Sequence, residues 1–323
     1  LFEPGEDFWD GIKHVDLNGD GSWWASFGGE LRVRGEAWEN FGFSEVNDDA
    51  FLLGRALFHG DFHFGEHVRA FVTGKSAVAT DRDLPGGRRT LDVDEIDLQN
   101  AFVDVDFPLG GDGKVTARVG RQELLFGKQR LVSPLPWSNT MRTWDAARLI
   151  FEFDNWRIDA FYSRYAAVQK YEFNDWRPGP DFWGAYANGK LGADNAVDLD
   201  LYFLGLNSRA STFNGSTGAE DRYTLGARVG GKFGASGFGY DAEADYQFGE
   251  VGSADIAAYA FAGKIDYTFA DAEYKPAVYV GFDYASGDDT AGDGEVETFN
   301  QLFPLGHAYF GYMDLVGRQN IVD

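Results

Sequence analysis

Apolar and polar residues take turns at every second position over long stretches of this chain, and that period restricts those stretches to extended strands apolar on one face. In the clearest case Tyr223, Leu225, Ala227, Val229 and Phe233 alternate with Thr224, Arg228 and Lys232. The next stretch repeats the pattern with the opposite charge: Phe238, Tyr240, Ala242, Ala244, Tyr246 and Phe248 alternate with Asp241, Glu243, Asp245 and Gln247. A turn at Ala235-Ser236-Gly237 joins the two. Read throughout, the pattern predicts about thirteen strands, near 24–36, 51–64, 67–76, 94–107, 114–122, 146–153, 156–165, 182–190, 198–207, 222–233, 238–248, 257–269 and 275–286. Most exceed the usual globular strand of about five or six residues. The 42 Gly and 16 % aromatic residues suit turns and strands rather than helices.

The connections fall into two classes that take turns along the chain. Short ones are Gly65-Glu66, Pro108 to Gly113, Asp154-Asn155, Gly192 to Asn195, Gly234 to Gly237 and Ala270 to Tyr274. Long polar ones are 37–50, 77–93, 123–145, 166–181, 208–221, 249–256 and 287–305. A soluble sandwich has no reason to gather its long loops at one end of an up-and-down meander. A transmembrane barrel does, with tight turns on the periplasmic side and long loops outside. Aromatic residues flank the short turns (Phe62, Phe64, Phe107, Phe153, Trp156, Phe233, Phe238, Phe269 and Tyr274), as a headgroup-level girdle would. The mean hydropathy of −0.33 fits a wall that is apolar on one side, and no run of 18 apolar residues offers a membrane helix. The expected fold is therefore all-β: one transmembrane up-and-down antiparallel barrel over residues 1–323. A fourteenth strand is expected near 307–316. The residues from Arg318 to Asp323 do not read as a closing strand, so further strands are expected beyond them.

With 28 basic and 52 acidic residues, a net charge of −24 excludes a general nucleic-acid-binding face. The absence of Cys excludes disulfides, thiol catalysis and Cys-based zinc sites. No cofactor is implied. Alternation assigns Arg32, Arg34, Arg55, Arg69, Lys75, Arg118, Arg148 and Arg157 to the lumen in the first seven strands, and Arg228, Lys232 and Lys264 later. Guanidinium groups suit carboxylate recognition and give a pore a fixed positive field. Lumen acids on the same reading are Glu30, Glu36, Asp97, Glu152, Asp159, Asp198, Asp200, Asp241, Glu243, Asp245 and Asp266. Two arrangements follow: a basic and an acidic side of the pore, or ladders in which the charges neutralise one another.

Weaker signals complete the inventory. Asp16 to Gly21 resembles the start of a calcium loop but has Phe27 where a bidentate Glu belongs, so a turn before the first strand is expected. The acids between Asp288 and Glu297 read as a solvated loop, with Ca²⁺ or lipopolysaccharide bridging as the alternative. His59, His63 and His67 share a face but are interrupted by a turn. Asp241, Glu243 and Asp245 offer the only case for an enzyme, a polysaccharide-active one; nothing in the sequence distinguishes them from lumen lining. Residues 123–145, long and stiffened by Pro134 and Pro136, are the candidate plug.

Specific motifs add a resemblance. Gly28 to Glu36 (GGELRVRGE) is similar to the opening strand of the alginate-export family of outer-membrane barrels. Gly120 to Val132 (GRQELLFGKQRLV), Asn139 to Arg148, Glu220 to Arg228, Glu243 to Gly249, and Ser286 to Asp289 leading to Thr298–Pro304 resemble further blocks of that family, in its order. Ala146 stands where Gly is common, and the chain stops before the family's last strands. The resemblance implies an 18-stranded monomeric barrel, about 14 strands of it in this chain, in the bacterial outer membrane. It implies passage of an acidic exopolysaccharide such as alginate through a basic lumen. Implied partners are outer-membrane lipid and lipopolysaccharide, a periplasmic scaffold and an inner-membrane synthase. A general small-solute porin of the same family is the alternative.

Overall fold

The structure, a computed structural model, describes residues 9–175, 179–192, 196–234 and 236–322. Most of the Gly192 to Asn195 turn, Ala235 and Asp323 lie outside the described residues. After a short piece β1 (Val15–Asp16), thirteen long strands follow in a meander: β2 (Trp23–Trp38), β3 (Asp49–Phe64), β4 (Val68–Thr80), β5 (Asp94–Gly110), β6 (Gly113–Gln122), β7 (Trp144–Phe153), β8 (Trp156–Tyr165), β9 (Asp181–Leu191), β10 (Val197–Phe213), β11 (Ser216–Lys232), β12 (Phe238–Val251), β13 (Ala254–Thr268) and β14 (Ala277–Ala285). Each long strand pairs antiparallel with the next. Two short pieces, β15 (Glu295–Val296) and β16 (Ile321–Val322), add to β13 and β14.

All thirteen expected strands are present. Two expected long loops are not, because the strands run on through them. Residues 208–221 form the top of the β10–β11 hairpin, closed at Asn214-Gly215, where both residues have positive φ (48° and 84°) as a tight hairpin turn requires. Residues 249–256 likewise close the β12–β13 hairpin, with Val251 opposite Ala254. The fourteenth strand expected near 307–316 is also corrected: His307–Phe310 is one helical turn and Ile321–Val322 pairs with β14 instead. The reason lies just upstream, where Leu302 and Phe303 pack against an interior apolar cluster and Phe303 exchanges backbone hydrogen bonds with Leu131 and Ser133. That anchors the segment inside rather than in the wall. Among the described residues β2 and β14 do not pair with each other.

The polarity of the sheet is inverted relative to a water-soluble protein. Leu31 (88 % exposed), Val33, Phe58, Val119 and Val280 (78 %) face outward, while Arg55, Asp104, Arg148, Asp200 and Arg228 (5 %) are buried between them. Such a surface is stable only where hydrocarbon replaces water, and every backbone group of a spanning strand must then be paired. The 17-residue strands β5, β10 and β11 exceed the roughly 9–11 residues that cross the hydrocarbon, so they project beyond it. Phe107, Phe153, Phe233, Phe238, Phe269 and Tyr274 are exposed beside the short turns, where the girdle was expected.

One segment proves that the sheet curls. Residues 123–143 touch Arg32 on β2, Arg55 on β3 and Lys75 on β4, and also Asp241 and Glu243 on β12. In a flat sheet β2 and β12 would lie roughly 48 Å apart at about 4.8 Å per strand.

Candidate functional site

The inward segment divides the lumen. Towards the long loops it fills the bore: Leu124, Phe126, Leu131 and Val132 pack with Trp144, Phe161, Phe182, Tyr186, Tyr202 and Leu204 of β7–β10 and with Phe299. Phe126, Tyr186 and Tyr202 stack in series, with centroids 4.9 Å apart at each step. The expected plug is therefore in place, built on an apolar core that the strand pattern alone does not reveal. Arg130 of the plug reaches Asp241 (3.1 Å) and Glu243 (2.6 Å). Burial alone would lower the Arg130 guanidinium's pKa, but Glu243, Tyr309 and Asp241 raise it overall, so this cation is permanent. Burial pushes the Glu123 carboxyl up, where Gln99 Nε2 donates to it at 2.9 Å.

Towards the short turns a cavity of about 340 Å³ stays open, lined by His63, Glu66, His67, Arg69, Asp104, Asp106, Lys114, Arg118, Glu152 and Arg157. A second, of about 870 Å³, opens at the long-loop end between Arg34, Trp38, Arg89, Trp137, His307 and Tyr312.

All eight arginines expected in the lumen lie on its face, and they form three groups. Arg32, Arg34 and Arg55 hold the plug. Arg32 donates to Ser138 O (2.9 Å) and Pro136 O (3.4 Å), Arg34 to Trp137 O (2.6 Å), and Arg55 to Pro136 O (3.0 Å) and Ser138 O (2.9 Å). Lys75 joins them through Thr140 O at 2.7 Å. The second group surrounds the lower cavity: Arg69 and Arg118 share Asp104, while Arg148 and Arg157 share Asp159. Arg228 stands apart, bridging Asp200 and Asp241. The expected separation into a basic and an acidic side is corrected, because Asp61 and Asp104 sit among the early arginines and pair with them. Alternation makes both legible: Asp61 has the parity of Arg55, and Asp104 faces Arg118 across β6.

Register adds what pairing lists alone do not. Arg32 stands directly opposite Arg55, and Arg118 directly opposite Arg148. Arg228, by contrast, has Asp200 on one side and Glu243 on the other.

The lesser signals resolve locally. Asp16 Oδ1 accepts the backbone N–H groups of Asn18 and Gly19, and Asp20 Oδ1 that of Ser22, giving the turn expected before β2. His63 stacks on Trp24 (3.7 Å) and His59 on Phe71 (5.5 Å). Asp241 and Glu243 are bound by Arg130, and Tyr202 donates to Glu243 and Asp245.

A meander apolar outside and charged inside, with its bore narrowed by its own loops, defines an outer-membrane β-barrel of the channel class. The family model described as alginate export matches residues 23–323, and the chain belongs to that family. A search of curated proteins finds no match. Among solved structures, Acinetobacter baumannii OccAB1 is 11 % identical over 83 % of this chain and 80 % of its own, with a TM-score of 0.46. Pseudomonas aeruginosa OpdO is 13 % identical over 88 % and 85 %, at 0.43. Salmonella typhi OmpF in complex with daunomycin is 12 % identical over 85 % and 94 %, at 0.40. These likenesses are weak in sequence and in geometry.

Proposed function

We propose that this channel passes an anionic polysaccharide, a uronate polymer such as alginate, by diffusion past the arginines of its lumen. The observation that carries the reading is the cross-strand register. Like charges directly opposite on a sheet destabilise it, on a scale of up to about 1 kcal/mol per pair. A wall built only to neutralise its own charge would place acids opposite arginines, as it does around Arg228. Instead Arg32 faces Arg55, and Arg118, with Asp104 opposite on one side, faces Arg148 on the other. Each such pair offers two planar donor forks to one passing carboxylate.

The acids beside them serve the same purpose. Asp104 and Asp159 occupy the arginine forks when no polymer is present, and a uronate carboxylate exchanges with them one for one. Contacts that are repeated and individually weak let a polymer slide, where one tight site would stall it. The lower cavity, with Arg69, Arg118 and Arg157, is the periplasmic vestibule to which a scaffold would deliver polymer. Every arginine of this path belongs to one chain, and the reading takes the protein as a monomer. Outer-membrane lipid and lipopolysaccharide cover the apolar exterior.

A small-solute porin of the same family is the second reading, favoured by the apolar core that fills the long-loop half of the bore. Vesicle uptake separates the two. Oligo-uronates should enter vesicles containing the channel faster than neutral oligosaccharides of equal length, and Arg118→Gln should remove most of that preference. Equal entry of both would favour the porin.

A further inference from the structure

Four cations on three adjacent strands bind the plug through its backbone oxygens: Arg32 and Arg34 on β2, Arg55 on β3 and Lys75 on β4, meeting the carbonyls of residues 136, 137, 138 and 140. No carboxylate of the plug takes part in these contacts. Arg34, Arg55 and Lys75 each also hold an acid of the wall: Glu36, Glu30 and Asp94. Arg32 does not. Among the described residues it is the one arginine of the eight with no carboxylate in ion-pair range, its acceptors being Pro136 O, Ser138 O and Asn139 Oδ1. Its Nε is buried and has no hydrogen-bond partner.

We propose that residues 136–138 of the plug act as a stand-in for the cargo, their carbonyls occupying the arginine forks in the closed channel, and that a carboxylate polymer opens the channel by displacing them. This rests on the proposed uronate reading and adds its regulation. The chemistry favours the exchange. A carboxylate carries a full charge and can take both arms of a guanidinium fork at once, which a single neutral carbonyl cannot, and Arg32 gains an ionic partner it otherwise lacks. Arg32 and Arg34 lie two residues apart on one strand, about 7 Å, so a polymer with regularly spaced carboxylates can take both. Displacement frees residues 136–138 locally. Asn139 Nδ2 still donates to Gly54 O, Val78 O and Asp92 O, and Thr140 Oγ1 to Thr90 O. The plug's apolar core with β7–β10 and its Arg130 bridge to Glu243 of β12 also remain, so 136–138 move about these anchors.

The chain has no cysteine, so a single reporter is clean. Ser138, 1 % exposed in the closed state, is replaced as Ser138→Cys and labelled with a water-soluble maleimide on the protein in lipid vesicles. Oligo-uronates should raise the labelling rate about tenfold, the scale of losing one charged hydrogen bond; neutral oligosaccharides of equal length should leave it unchanged. Adding Arg32→Gln should raise the rate without any saccharide and flatten the response. Arg32→Lys, which keeps the charge but not the fork, should fall between the two, and heat-shifted gel mobility verifies the barrel in each variant. A labelling rate indifferent to oligo-uronates, or equally raised by neutral sugars, overturns the proposal. Uptake measured in the same vesicles keeps the two readings apart. Uronate entry with unchanged labelling defeats the latch alone; entry of neutral sugars with exclusion of uronates defeats the cargo reading and the latch with it.

Discussion

Arg82 shows how much a single side chain outside the strands can hold. Its side chain is fully buried, with Nη1 2.5 Å from Asp49 and Nε 3.1 Å from Asp92, and its guanidinium lies 3.6 Å from the centre of the Phe51 ring and 4.2 Å from that of Trp38. Removing Arg82 leaves the buried Asp49 carboxylate without its cation, while Asp92 keeps Arg89, and breaking a buried pair in this way costs about 3–5 kcal/mol. Arg82→Ala should lower the barrel's stability by that amount in urea titrations in lipid, and Arg164→Ala, whose partner Asp181 is partly exposed, should shift the unfolding midpoint far less. The lumen arginines were legible from period two because they sit on strands. Arg82 and Arg130 were not, because a loop has no period and their partners lie tens of residues away.

Loops fold onto walls by the same logic at the scale of elements. The 81–93 loop is tied down by Asp92, which accepts from Arg82 and from Arg89 Nε and Nη2. Burial alone would raise the Asp92 carboxyl, but the Arg89 hydrogen bonds and the Arg89 and Arg82 charges hold it below its ordinary value. A lowered folded pKa means stabilisation present above the ordinary carboxylate range, near pH 4, and lost as pH falls through the folded value. Protease cleavage within 81–93 should therefore stay slow at neutral pH and accelerate below about pH 4. The β10–β11 hairpin was legible in principle, since Asn214-Gly215 is the strongest short hairpin signal, yet the polar residues around it read as loop. Polarity there has a different cause: the strands have left the hydrocarbon. With φ of 84° at Gly215, Gly215→Val should cost about 1–2 kcal/mol, read as a lower unfolding midpoint. The 302–320 segment was illegible as an inward loop because its anchors, Leu131 and Ser133, belong to another loop.

For the whole molecule, the inverted polarity decides the environment, and the proposed cargo rests on the register of the arginines. Thirteen strands could be placed from alternation alone, because in a membrane wall every strand repeats one demand: apolar outward, polar inward. The contents of the bore could not, since the plug's packing obeys no local period. On the proposed function, paired arginine forks make the lumen a carboxylate path despite a net charge of −24. The reversal potential in a planar bilayer under a salt gradient, with and without oligo-uronates, tests it most directly. The account predicts anion selectivity that weakens on Arg118→Ala or Arg148→Ala, with oligo-uronates interrupting the current. Cation selectivity, or a current indifferent to oligo-uronates, would contradict it.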